Sequence, residues 1–435
     1  MLLVSADWVL PVASAPVRDG GVLVDGDRIV ATGPRAELEA ATAADVAREH
    51  FDGCTITPGL VNAHTHLTLT ALSGVVPPAP FHEWLPRLVL AMKPWEIADH
   101  EASGVIGAEQ SLLAGVTVVG DIAYGAAEVA SASRAGLGGV YYWELLGIPA
   151  EQVAEQLDYL RYPARPRTYG PRVECGLSPH SPYTSGPGLL RATHDRASEL
   201  GVPLAIHIAE SAAEVQLLSD GTGPLSEVAS RTALGFTPPH TTSVAYLAEL
   251  GVLEGATAVH CCHLQDGDIE LLAQRARGVV TCPRSNRYLD NPPPRLAPLL
   301  SAGIAVGMGT DSAASNHDLD LTAELRALAA EEPELHGDAL LHAATTGGAT
   351  AIGVHDRFGA LVAGMQADLA VFSASASNDP AGAVIGNASG HASVSAVMSG
   401  GVWRVREGAL LAPNDAAATR AADATRRAVE ALALG

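Results

Sequence analysis

The chain has 435 residues, 48 of them acidic and 26 basic, for a formal charge of −22. That balance argues against nucleic acid or an anionic membrane as the main partner, because a phosphate-binding surface needs clustered Lys and Arg. With 48% hydrophobic and 17% charged residues, the chain has ample material for a core and the wrong composition for disorder.

In chain order, the first residues lack the basic stretch of a signal peptide, and no apolar run reaches the roughly 20 residues of a membrane helix. The five cysteines (Cys54, Cys175, Cys261, Cys262, Cys282) form no CxxC and no even framework, so disulfides are not expected. A soluble cytoplasmic protein is the expectation. Residues 1–57 read as short β segments at 2–4, 21–24, 28–32 and 55–57, with Asp25-Gly26 as a hairpin turn. Residues 58–357 alternate apolar runs with helical stretches such as 189–200 and 269–274. Eight strand candidates fall at 59–66, 116–122, 138–145, 173–178, 203–209, 257–263, 278–282 and 305–311. Most are continuous apolar runs, as parallel strands covered on both faces should be. The pattern predicts an α/β fold, a (β/α)8 barrel whose active site lies at the C-terminal strand ends. Residues 358–412 return to short strands and should complete a small β-sandwich with residues 1–57. Residues 413–435 are Ala- and Arg-rich at helical spacing and predict a surface helix.

Polar residues fall at the predicted strand ends. The first ends in His64-Thr-His66, and residues i and i+2 of a strand share a face, so two imidazoles offer half a zinc or iron site. The fifth ends in His207-Ile-Ala-Glu210. His207 would add a third imidazole, and Glu210 is either a general acid and base over the metal or a cap on the next helix. In His260-Cys-Cys-His263, adjacent cysteines cannot both grip one ion. His260 is therefore expected to face the pocket, and His263 and the cysteines to be structural. The last strand ends in Gly309-Thr-Asp311-Ser312, where Asp311 either completes the coordination shell or caps the next helix. Four strand ends converging on one mouth favour the metal reading.

The only lysine, Lys93, lies between the first and second strands. Two-metal sites in such barrels commonly need a carboxylated lysine from a middle strand, so one divalent ion is expected. Its ligands would be His64, His66, His207 and Asp311, with water in the open position at a pKa lowered toward ~7. Three imidazoles and a carboxylate suit zinc and iron alike.

Taken in order, the motifs Thr57-Pro-Gly-Leu-Val-Asn-Ala-His-Thr-His66, His207-Ile-Ala-Glu210, Val259-His-Cys-Cys-His-Leu264, Cys282-Pro-Arg-Ser-Asn286, Gly309-Thr-Asp-Ser312 and Ala367-Asp-Leu369 resemble the amidohydrolase superfamily. The resemblance spans nearly the whole chain and is to the mononuclear deaminase and chlorohydrolase branch. It is similar in particular to the enzymes that deaminate methylthioadenosine, S-adenosylhomocysteine and 6-aminodeoxyfutalosine. The resemblance implies a homodimer acting on a small molecule, with Glu210, His260 and Asp311 catalytic. Pro179-His-Ser-Pro-Tyr183 matches a motif whose histidine, here His180, touches substrate. Trp84-Leu85 followed by Glu96 resembles a loop whose glutamate binds ribose hydroxyls, with Glu96 as a surface helix residue the other reading. Arg284 would suit a substrate carboxylate through a bidentate contact, or would pair with an acidic loop residue. An s-triazine chlorohydrolase or a guanine-type deaminase would use the same site, but Glu210 favours loss of ammonia.

Overall fold

The computed structural model describes residues 1–163, 168–374, 379–386 and 392–434. In the middle of the chain run eight strands: β1 (Leu60–Thr65), β2 (Val116–Ala123), β3 (Gly138–Leu145), β4 (Val173–Pro179), β5 (Ala205–Ile208), β6 (Thr257–His260), β7 (Gly278–Thr281) and β8 (Val306–Met308). Strands β1 to β4 pair in parallel in chain order, and so do β5 to β8. The two sheets meet at two seams. One is the bridge from Leu177 to Leu204, between β4 and β5; the other joins Thr65 to Asp311. At the second seam the N–H groups of Thr310 and Asp311 both donate to the His64 carbonyl, at 3.1 and 3.0 Å. The barrel thus closes through the backbone of two predicted site residues.

Alternation along the strands builds two apolar layers. Val61, Ala63, Val118, Ile122, Val140, Tyr142, Ala205, Val259 and Val280 pack together with Ile352 and Phe358. Leu60, Val119, Tyr141, Trp143, Leu177 and Ile206 join the larger core with the surrounding helices. Both faces are buried, which is why the strands read as unbroken apolar runs. At Gly120 a Cβ would come within 2.3 Å of the Ala63 carbonyl oxygen, so only glycine allows this approach of β1 and β2.

Both chain ends contribute to a third sheet. Strands Leu2–Val9, Val17–Asp25, Arg28–Pro34 and Ala47–Pro58 join Leu369–Phe372, Val394–Ser399, Val402–Arg406 and Ala409–Leu410 in one eight-stranded sheet. The strands of this sheet share a core of Val4, Val22, Ile56, Leu369, Ala396 and Met398. The fold brings Asp27 against Ala367, whose N–H donates to the Asp27 carbonyl at 2.8 Å. Asp368 ties the sheet to the barrel, accepting from both Arg172 amino groups (2.8 and 3.0 Å) and from Thr117 Oγ1 (3.1 Å).

The C-terminal helix Asp415–Leu434 buries a stripe of Ala417, Ala421, Ala424 and Ala428, the spacing of one helix face. Arg420 and Arg427 reach the buried Asp99 at 2.8 and 2.6 Å. Burial alone would raise the Asp99 carboxyl. The Glu96 N–H and the two guanidinium groups outweigh it and hold the group below its ordinary value. A depressed carboxyl contributes stability that is present above its unfolded value near ~3.9 and is lost as pH falls through the folded one. Asp99→Asn should therefore cost about 1–3 kcal/mol at neutral pH and flatten the acid limb of the stability curve. Denaturant unfolding across the acid range checks both.

Candidate active site

The C-terminal strand ends converge on one buried cluster. The register of β1 against β2 shifts between Asn62 and Thr65, and such an irregularity re-aims the side chains beside it. The His64 ring centroid lies 5.0 Å from those of His66 and His207, and 5.5 Å from that of His260. Asp311 Oδ1 lies 3.5 Å from His64 Nε2 and 3.4 Å from His66 Nε2. The ligand atoms of His64, His66 and Asp311 lie within 4.8 Å of one another, as do those of His64, His207 and His260. His64 joins the two groups.

Neighbouring elements fix how each side chain presents itself. His207 Nδ1 lies 2.8 Å from the His180 carbonyl, which only accepts, so Nδ1 carries the proton and Nε2 keeps its lone pair. His260 Nδ1 donates to Asn286 Oδ1 at 3.0 Å. Asp311 Oδ2 accepts from Ser285 Oγ (2.6 Å) and Ser315 Oγ (3.0 Å), which leaves Oδ1 toward the imidazoles. Burial pushes His66 down to about 3 and His180 to about 4, and it lowers His64 and His207 as well. These rings are neutral at physiological pH. Burial would raise Asp311, but His64 beside it and the nearby His66 and His260 imidazoles hold it well below the usual carboxylate range.

Glu210 is buried beside this cluster, with Oε1 3.9 Å from His260 Nε2. Burial, aided by Asp311 and Glu214 and opposed by His260, raises it to about 7. A carboxyl with that value can both take and give a proton near neutral pH. His66, His180, His207, Glu210, His260 and Asp311 line one cavity with Leu69, Phe81, Trp84, Leu85, Leu88, Tyr124 and Leu289. One wall is the helix Phe81–Met92, which carries Trp84.

Two expected substrate contacts lie elsewhere. Glu96 caps the helix Ile97–Leu113 together with Asp99, and its 78% exposed side chain accepts from Arg420 Nη2 at 2.9 Å. It does not line the cavity. Arg284 is held by Asp318 through both amino groups (2.7 and 3.3 Å), with Glu324 at 3.7 Å. Its guanidinium is already satisfied by carboxylates of its own chain. His263 turns toward Asn291, and Cys261 is buried.

The structure adds residues that the sequence reading missed. Ser285, Asn286 and Ser315 orient Asp311 and His260, and the first two sit in the Cys282-Pro-Arg-Ser-Asn286 motif beside Arg284. Glu214 takes the backbone N–H groups of Ala209 and Glu210. Glu144, at the end of β3, places a ligand atom within 4.8 Å of those of His180 and His207. Burial raises its carboxyl to about 8. Its position at a strand end was the available signal.

The donor chemistry fits a divalent ion. Among the described residues His64 Nε2 is buried with no hydrogen-bond partner, and neutral imidazoles face an ionised carboxylate, which is what zinc or iron requires. The amidohydrolase family model matches residues 55–404. The chain belongs to the amidohydrolase family. A short match to an imidazolonepropionase-like composite domain covers residues 20–41. Among similar amidohydrolases, the 5-methylthioadenosine/S-adenosylhomocysteine deaminase of Desulforudis audaxviator is 32% identical over 389 residues, covering 85% of this chain and 84% of that protein. The aminodeoxyfutalosine deaminase of Deinococcus radiodurans is 34% identical over 348 residues, covering 77% and 81%. The crystal structure of a zinc-bound adenosine deaminase from Xanthomonas campestris superposes with a TM-score of 0.82 at 26% identity, covering 99% of this chain and 98% of that one. That likeness, with the two closed seams, gives this amidohydrolase its (β/α)8 fold.

Because Ser285 Oγ holds the far oxygen of Asp311, Ser285→Ala should weaken divalent-ion affinity about 10–100-fold. Chelator competition on the purified protein measures it.

Proposed function

We propose that this amidohydrolase is a metal-dependent deaminase of adenine nucleoside-type substrates such as methylthioadenosine, S-adenosylhomocysteine, 6-aminodeoxyfutalosine or adenosine. The observation that carries the reading is Glu210, a buried carboxyl raised to about 7 that lines the same cavity as the imidazoles and Asp311. The names of the relatives supply the substrate class. The overall change adds water across an N=C–NH2 unit and releases ammonia, leaving the ring carbonyl.

His64, His66, His207 and Asp311 would hold one divalent ion, zinc in this reading. Such an ion supplies a nucleophilic water at neutral pH and polarises the carbon under attack. Asp311 Oδ1 accepts a proton from the attacking water, and His260 Nε2 orients the incoming oxygen. Glu210 delivers a proton to the ring nitrogen, so that negative charge does not build up there as the carbon becomes tetrahedral. The proton held on Asp311 then passes to the amine, and the deprotonated Glu210 takes the hydroxyl proton as the carbonyl forms and ammonia leaves. Trp84 and His180 bound the space for the purine, and the leucines and Phe81 of the wall exclude water from the reacting carbon. A homodimer in the cytoplasm is part of the same reading, and light scattering on the purified protein tests the dimer.

Ammonia release from the four nucleosides, with guanine and a chlorotriazine as controls, is the direct experiment. Turnover of an adenine nucleoside, abolished by a chelator and restored by zinc, is the expected outcome. Silence on all four with metal bound overturns the substrate class. Glu210→Gln should lower kcat by about 10²–10⁴-fold with bound metal unchanged. Near-normal turnover in that variant would remove Glu210 from proton transfer.

A further inference from the structure

The turn between His207 and Glu210 is built in a conformation that its residues do not favour. Ala209 has φ +51°, the left-handed region that side chains other than glycine rarely adopt. Its carbonyl accepts from the His263 N–H at 2.9 Å, and its amide side is held by one carboxylate. The Ala209 N–H donates to Glu214 Oε1 at 2.8 Å and the Glu210 N–H donates to Oε2 at 2.9 Å. Ser243 Oγ donates to Oε1 at 2.6 Å. Glu214 is fully buried, and its own N–H is taken by Ser211 Oγ at 3.2 Å, which caps the helix Ala212–Asp220. Three donors therefore converge on a group that only has to accept.

We infer that Glu214 is a positioning residue for the reaction, clamping the left-handed turn at Ala209 so that His207 and Glu210 face the same cavity. In an extended strand, residues three apart point to opposite faces. Only the kink at Ala209 brings the His207 ring and the Glu210 carboxyl to one side. Glutamine in place of Glu214 keeps one acceptor and sets an NH2 group against a backbone N–H. That loses half of the clamp and frees Ala209 to relax toward extended backbone. The inference rests on the proton-transfer role proposed for Glu210.

The experiment compares the full-length, zinc-loaded wild type with Glu214→Gln and with Glu214→Gln combined with Ala209→Gly. Hydrogen exchange of the 205–215 segment, bound zinc, and kcat and KM on the nucleoside panel are measured together. In Glu214→Gln the Ala209 and Glu210 amides should exchange at least about tenfold faster, since a hydrogen bond on each protects them. The kcat should fall about 10²-fold, as expected for a misplaced catalytic group, with KM and zinc content near wild type. Glycine adopts the left-handed region without steric cost, so the double variant should recover about tenfold or more of the lost kcat. Unchanged exchange and kcat in Glu214→Gln overturns the inference. So does joint loss of zinc and kcat in a folded Glu214→Gln with no recovery from the glycine, which marks Glu214 as a packing residue only. Should the glutamine variant not fold, Glu214→Asp reads the same clamp through its shorter reach, and wild-type exchange there overturns it. If no nucleoside is turned over by the wild type, the substrate reading fails while the two amides still decide the role of Glu214.

Discussion

A set of polar groups at the mouth of an apolar barrel is stable only if each one finds a partner, because an unpaired buried polar group costs about 1–3 kcal/mol. The site is organised around that requirement. His207 leans on the His180 carbonyl, His260 on Asn286, Asp311 on Ser285 and Ser315, and the Glu210 turn on Glu214. The partners come from the segments just beyond four strands: His180 after β4, Glu214 after β5, Ser285 and Asn286 after β7, and Ser315 after β8. The hydrogen bonds that satisfy the buried groups are also the ones that aim them. His64 Nε2, left without a partner among the described residues, marks the point where the protein's own donors and acceptors run out and a cation fits.

Closure of the barrel and assembly of the site are one event. The seam between β1 and β8 is made by the His64 carbonyl with the N–H groups of Thr310 and Asp311, so the strands cannot close without bringing these two residues together. Left-handed backbone at Ala209, His260 and Asp311 occurs at the ends of β5, β6 and β8. Strain of this kind persists only where the surroundings over-determine it. Here the apolar layers beneath the mouth and the hydrogen bonds around it do so.

The two chain ends support the barrel from separate directions. The shared sheet is pinned through Asp368 to Arg172 and Thr117. The C-terminal helix packs over the elements that wall the cavity. Its Thr425 Oγ1 donates to the Ala71 carbonyl at 2.6 Å, and Trp95 Nε1 donates to the Ala424 carbonyl at 3.0 Å. The helix Phe81–Met92, with Trp84, thus lies between the barrel and a brace of small alanines that permit close approach.

What the sequence determined by itself was local. Apolar runs of strand length, helical periods between them and the chemical types at the strand ends are properties of neighbouring residues. They placed all eight barrel strands and singled out His64, His66, His207, Glu210, His260 and Asp311, which the structure brings together. The tertiary structure decided what depends on distant partners. Arg284 meets Asp318 and Glu324, 34 and 40 residues on, and Glu96 is drawn to Arg420, 324 residues away. Neither pairing is visible in a motif, since a long charged side chain goes to whichever opposite charge folding brings within reach. The sheet shared by the chain ends, the seam through His64 and Asp311, and the clamp at Glu214 likewise exist only once the backbone has closed. A side chain's chemistry is written in its residue type, but its direction and its partners are set by packing.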